Sequence, residues 1–123
     1  MRAQGLRREA CRQVLELFRD CDLLIAPATP VSAPLIGADT IEIGGQRLPS
    51  RASLGLLTQP ISCVGLPVCA VPVWPDATQG APLLPIGVQL IAAPWREDLC
   101  LAAARHLERI GLCKVRAPTV RAS

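Results

Sequence analysis

Tyrosine is absent from this 123-residue chain, and one phenylalanine and two tryptophans make up its whole aromatic content. So few rings offer no stacking platform for unpaired bases. The net charge of +3, from 13 Lys+Arg against 10 Asp+Glu, is dispersed without a basic stripe. Nucleic acid is thereby excluded as a partner. No run approaches the roughly 18 uninterrupted apolar residues of a membrane helix, and MRAQGLRREACRQ has no apolar stretch behind its basic residues. The expectation is a cytoplasmic protein with no membrane partner.

Groups that carry catalysis are as scarce. The sole histidine, His106, lies at the margin of an apolar helical stripe, where a structural role is expected, and the sole lysine, Lys114, lies near the C-terminus. The five serines fall in loops, caps or a broken helix, so neither a Ser-His-Asp nor a Ser-Lys arrangement has a credible base. One histidine and no carboxylate cluster beyond Glu97-Asp98 leave no metal site, and those two acids suit the first turn of a helix. Gly44-Gly45 and Gly65 fit a turn and a helix cap, so no phosphate loop and no cofactor are expected. Cys11, Cys21, Cys63, Cys69, Cys100 and Cys113 form no C-x-x-C pair and read as small buried hydrophobes rather than a disulfide or metal framework.

What the chain does have is apolar residues, half of its total, enough to build one core. Over 6–21 the residues Leu6, Ala10, Val14, Leu17, Phe18 and Cys21 recur at helical spacing and predict a core-facing stripe. DLLIAP (22–27) reads as a short buried strand ended by the breakers of PATPVSAP. TIEIGGQRLPS alternates on both sides of Gly44-Gly45 and predicts a surface hairpin. RASLGLLTQPISCV (51–64) reads as a helix with Ser50 as N-cap, a break at Pro60 and an end at Gly65. VCAVPVW follows as a strand that Pro72 confines to an edge or bulge, then a polar loop DATQGAP and a strand PIGVQLIAA. The last helix is expected over 95–110, with Gly111 as its C-terminal stop. The order predicts an α/β fold, with 1–111 as one domain part and 112–123 as a basic tail.

The charge-free stretch from Thr58 to Trp74, TQPISCVGLPVCAVPVW, is the most distinctive in the chain. Together with DLLIAPATPVSAP before it and LPIGVQLIAAPWREDLCLAAARHLE after it, it resembles the C-terminal third of the amidase signature family. T-x-P-x-x-x-x-G-L-P and P-x-G-x-Q stand here in the family's order, and the resemblance covers 6–111. It implies the C-terminal portion of a mixed-sheet α/β/α sandwich, incomplete on its own. RASLGLLTQPISCVGLPVCAVPV and AAPWREDL are most similar to the 1-carboxybiuret hydrolase-like branch, with the A-type subunits of glutamyl-tRNA amidotransferases as second choice. Those amidotransferases carry Asp three residues before the Thr, where this chain has Gly55, and Asn where it has Ser62.

The resemblance implies a hydrolase of amides with a serine nucleophile, a bridging serine and a lysine base, all carried by the family's N-terminal two thirds. Met1 precedes a helix that is internal in the family, so the expectation is a fragment without catalytic residues, inactive alone. Gly55, Thr58, Gln59 and Ser62 would then line the pocket for a small amide; the plainer reading makes the three polar ones helix-break and capping residues. The implied partner is an N-terminal amidase half or a second copy of the chain. The alternatives are a non-catalytic subunit completing a separately encoded half, and a gene remnant.

Overall fold

A computed structural model describes residues 2–74 and 84–115. The polar loop expected over 76–82 and the tail beyond 115 lie outside the described residues. The order of elements is the expected one: α1 (Arg2–Leu17), β1 (Leu23–Pro27), β2 (Thr40–Ile43), β3 (Gln46–Pro49), α2 (Ser50–Ser53), α3 (Gln59–Val64), β4 (Val68–Val73), β5 (Ile86–Ala92) and α4 (Glu97–Arg109). The fold is α/β. Its main sheet has the order β1-β5-β4, antiparallel throughout, and β2 and β3 form a separate hairpin.

Strand β5 is central, and its register sorts the sheet into two faces. Leu90 stands opposite Ile25 and Cys69, and Val88 opposite Val71, so these share one face. Helix α4 covers it: Ala103, Ala104 and Leu107 pack on the buried cluster of Val71, Leu90 and Cys113. Gln89 and Ile91 belong to the other face, over which the chain between α2 and α3 passes. Leu90 and Ile91 are the largest fully buried side chains, one on each face.

Gly44 and Gly45 both take positive φ, 56° and 78°, in the two-residue loop closing β2 on β3. A turn of that type matches the right-handed twist of the strands and excludes most side chains at both positions. The hairpin is as expected. Pro72 lies on β4, an edge strand, again as expected. Gly111 follows α4 with φ 81°, its N–H donating to Glu108 O at 3.0 Å.

Several expectations are corrected. Helix α1 ends at Leu17, short of Cys21, and its apolar stripe does not face a core: Leu6 is 73% and Leu17 51% exposed. Periodicity gives a helix its apolar face, but a core needs something to lie against it. What α1 does touch is the end of α3, where Arg7 Nε donates to Cys63 O at 2.8 Å, a cation on carbonyls at the negative helix terminus. Strand β1 is an edge strand rather than a buried one, with Ile25 67% exposed.

The helix break falls over residues 54–58, ahead of Pro60, and the proline opens α3 in its first turn, where a missing N–H costs nothing. Ser50 is not the cap of α2; Pro49 holds that position, and Ser50 Oγ donates to Ala38 O at 2.7 Å. Cysteines are free at all six positions, but only Cys100 and Cys113 are buried, and Cys63 is exposed. Trp74 Nε1 donates to Lys114 O at 2.6 Å, and Cys113 bridges Val73, so the chain stays on the fold past Gly111.

Candidate functional site

The segment 55–62 gathers the four residues singled out in the sequence. Its organising atom is a carbonyl. Gly55 O accepts from Thr58 N at 3.1 Å, from Thr58 Oγ1 at 3.2 Å and from Gln59 N at 2.9 Å. Thr58 occupies the N-cap position of α3, yet its hydroxyl turns back to Gly55 rather than onto the helix N–H groups. The next turn is closed by Ser62 N on Thr58 O at 2.9 Å.

Gly55 has a steric reason as well. A Cβ there would stand 3.1 Å from Gln59 Nε2, so any larger residue displaces the Gln59 side chain. The four residues are therefore neighbours on one tight turn and the first turns of α3. Thr58 is half-buried, Gln59 and Ser62 are exposed, and Thr58 has its hydroxyl committed to the backbone.

A fifth residue holds this turn to the sheet. Gln89, 3% exposed in the centre of β5, donates from Nε2 to Pro27 O at 3.0 Å and to Leu57 O at 3.2 Å. One amide thus ties β1, β5 and the 54–58 turn together. Gly87, two residues earlier, has its carbonyl on Ala28 N at 2.7 Å, and a Cβ on it would meet Ala28 Cβ at 3.1 Å. Glycine and glutamine of P-x-G-x-Q therefore do one job, letting the chain after β1 lie close and then pinning it. Sequence reasoning missed Gln89. Its signal was a lone amide inside an otherwise apolar strand, where an unpaired polar group would be costly.

Beside the turn, Gly65, Leu66 and Pro67 line a cavity of about 310 Å³ with Pro94, Trp95 and Glu97. Gly65 ends α3 in the left-handed conformation, φ 80°, its N–H donating to Ile61 O at 3.0 Å. Pro67 O then accepts from Ala92 N at 3.1 Å, delivering the chain into β4. A second opening of about 290 Å³ lies between β4 and α4, lined by Val68, Cys69, Cys100 and Leu101 among others. Burial pushes the Cys100 and Cys113 thiols above the ordinary thiol range. His106 is exposed on α4, its Nδ1 2.9 Å from an Arg109 guanidinium nitrogen. Among the described residues, no group of three or more His, Cys, Asp or Glu is placed to hold a metal ion, and no helix is long and apolar enough to cross a membrane.

The arrangement is a tight turn whose backbone carbonyls and amides are knotted by polar side chains, on a sheet covered by one helix. Comparison with known proteins agrees with that architecture. AtzE, the 1-carboxybiuret hydrolase component of Pseudomonas sp. (strain ADP), is 53% identical over 116 residues, 94% of this chain and 25% of that one. The A-type component of the glutamyl-tRNA(Gln) amidotransferase of Wolinella succinogenes is 34% identical over 110 residues, 89% of this chain and 22% of that one. A solved structure of a vestigial protein complex, bearing on the origins of an s-triazine catabolic enzyme, superposes with a TM-score of 0.86 at 53% identity, over 94% of this chain and 25% of that one. The chain thus spans about a quarter of the length of the relatives it matches. The family model described as Amidase matches residues 1–101, and the chain belongs to that family.

Proposed function

We propose that this chain is the C-terminal sheet-and-helix portion of an amidase-signature hydrolase that cleaves a C–N bond of a small amide of the carboxybiuret kind. It supplies pocket wall and closing strands, while the serine nucleophile, bridging serine and lysine base come from the rest of such an enzyme. The observation that carries this reading is the 53% identity spread over 94% of this chain but only 25% of the relative. The chemistry within the chain agrees with it. Ser50 and Thr58 give their hydroxyls to backbone carbonyls, and His106 faces Arg109 rather than a nucleophile. Gly55 leaves no carboxylate three residues before Thr58, which argues against glutamine as the substrate. Gly55, Thr58, Gln59 and Ser62 form the part of the wall nearest the substrate.

The test is to co-express the chain with the three quarters of the Pseudomonas relative that it does not cover, and to follow release of ammonia from carboxybiuret. Turnover is expected from the assembly and not from the chain alone. Turnover by the chain alone at about 1 per second or more, surviving Ser62→Ala with Cys63→Ala, refutes the reading.

A second reading is favoured by the apolar side chains left in solvent, Leu6, Ile25 and Leu101 among them at 64% exposure or more. In it, the chain is a non-catalytic subunit that completes a separately encoded amidase half. Recovery of a stable assembly with unchanged kinetics when Thr58, Gln59 and Ser62 are all replaced by alanine would favour that subunit role over a pocket wall.

A further inference from the structure

Trp95 is the one described residue other than glycine with a positive φ, 65°. It sits third in the turn Ala93-Pro94-Trp95-Arg96, closed by Arg96 N on Ala93 O at 3.1 Å. A turn with proline second and a positive φ third has the type II pattern, whose third position is stereochemically that of glycine. A bulky side chain there is strained, and strain of this kind persists where something else over-determines it. Here Pro94 and the Arg96 N–Ala93 O bond fix the turn itself. Trp95 is 89% exposed, whereas Phe18 and Trp74 are half-buried. A strained backbone is thus holding a large apolar ring out into water.

The surroundings say what kind of surface would meet it. Gly65, Leu66, Pro67, Pro94 and Glu97 share a cavity of about 310 Å³ with the ring. Of the charges beside the turn, Arg96 and Asp98 are paired with each other, Nε and Oδ1 standing 3.0 Å apart. The patch is apolar around the ring, with Glu97 the one charged residue of its lining, and tryptophan is among the residue types enriched as anchors in protein interfaces.

We infer that Trp95, with the Gly65-Leu66-Pro67 turn beside it, is the anchor by which this chain docks onto an apolar surface of the remaining three quarters of an amidase chain. The occupant follows from size: this chain superposes on a quarter of a longer relative at a TM-score of 0.86, and the other three quarters of that fold must cover part of what is uncovered here. The inference rests on the amidase-portion reading above, and its test separates the two.

Tryptophan emission and acrylamide quenching are measured for the full chain, alone and with the uncovered three quarters of the Pseudomonas relative, in wild type, Trp95→Phe and Trp95→Gly. Trp95→Phe isolates the Trp95 signal by difference, because Trp74 is the other tryptophan. On association, the Trp95 component should shift to the blue and lose most of its quenching. Trp95→Gly relieves the turn, so the chain alone should melt at the same or a higher temperature while its Kd for the partner rises at least tenfold. Trp95→Phe, which keeps a ring, should fall between. Association with equal affinity in all three, and Trp95 still open to quencher, overturns the anchor but leaves the amidase reading standing. Failure of the two pieces to associate overturns both. Burial of Trp95 in a dimer of this chain alone, seen by sedimentation, overturns the choice of occupant.

Discussion

Left alone, this chain should fail to hold a cooperative core, and the shortfall can be sized from its surface. Among the described residues eight apolar ones are buried, and only Leu90 and Ile91 of the large ones are fully enclosed. Against them stand Leu6 at 73% exposed, Ile25 at 67%, Trp95 at 89%, Leu101 at 64% and Ile110 at 52%. Full burial of a large apolar side chain contributes about 1.5–3 kcal/mol. Covering what these five expose is therefore worth about 8 kcal/mol, comparable with the roughly 5–15 kcal/mol by which whole domains are stable. The purified chain should bind a hydrophobic dye such as ANS and unfold over a broad temperature range. With the remaining three quarters of an amidase chain it should melt sharply and release the dye. A sharp, monomeric transition for the 123-residue chain alone, without dye binding and without gain on adding the larger piece, would refute this reasoning and mark an independent domain.

Three further outcomes are expected. Gln89→Leu keeps the volume but leaves Pro27 O and Leu57 O without their donor, so the assembled protein should lose about 2–4 kcal/mol in urea unfolding; a loss under about 0.5 kcal/mol would remove Gln89 from its place as the pin of the 54–58 turn. Gly65→Ala and Gly5→Ala should act with opposite sign: Gly65 has φ 80°, so alanine there costs about 1 kcal/mol, while Gly5 lies in α1 with open space around it and alanine there gains up to about 1 kcal/mol. Thiol titration of the native chain should label exposed Cys63 first and buried Cys100 and Cys113 last. Burial raises the latter pair's pKa, so the folded state holds those protons longer than the unfolded one, and stability should fall as the pH climbs through and above the ordinary thiol range. Prompt labelling of Cys113 would contradict its place in the core.

How much was legible in the sequence depended on whether the signal was local. Gly44-Gly45 and Gly111 announced a hairpin and a helix end because positive φ is a property of one residue, and the structure has them at 56°, 78° and 81°. The family resemblance was equally legible, since it rests on ordered motifs. What could not be read was which surface covers which. The stripe of α1 has helical period, but the helix meets the end of α3 rather than a core, and Leu6 stays 73% exposed. Ser50 looked like a cap by type, and only the approach of Ala38, twelve residues away, claims its hydroxyl. Pro60 was read as a helix breaker when it starts one; the chain had already turned at 54–58 around Gly55 O. Thr58, Gln59 and Ser62 were singled out by motif, whereas Gln89 was overlooked because its partners lie 62 and 32 residues away.

The apolar stretch that leads into β4 finally explains where the fold is open. VCAVPV is apolar at every position, the pattern of a strand covered on both faces. Here Cys69, Val71 and Val73 pack on the core under α4, while on the opposite face Val68 is 41% exposed and Ala70 is exposed too. Only one of the two faces is claimed at those positions. Nor can β4 easily take another strand at its outer edge. Pro72 has no N–H to offer, and the bridge from Val73 to Cys113, with Trp74 bonded to Lys114 O, already occupies the end of the strand. Among the described residues the opposite edge of the sheet, β1, pairs only with β5 and leaves Ile25 in solvent. Pro27 O accepts from Gln89 Nε2, but the outward ladder groups of Leu23 and Ile25 meet no further strand among the described residues and are able to accept one. Hydrogen exchange should therefore find the outward amides of β1 fast in the chain alone and slowed on assembly with the larger piece, while those of β4 change less. Equal protection of both edges in the isolated chain would mean that β1 is already covered and that the sheet is complete as it stands.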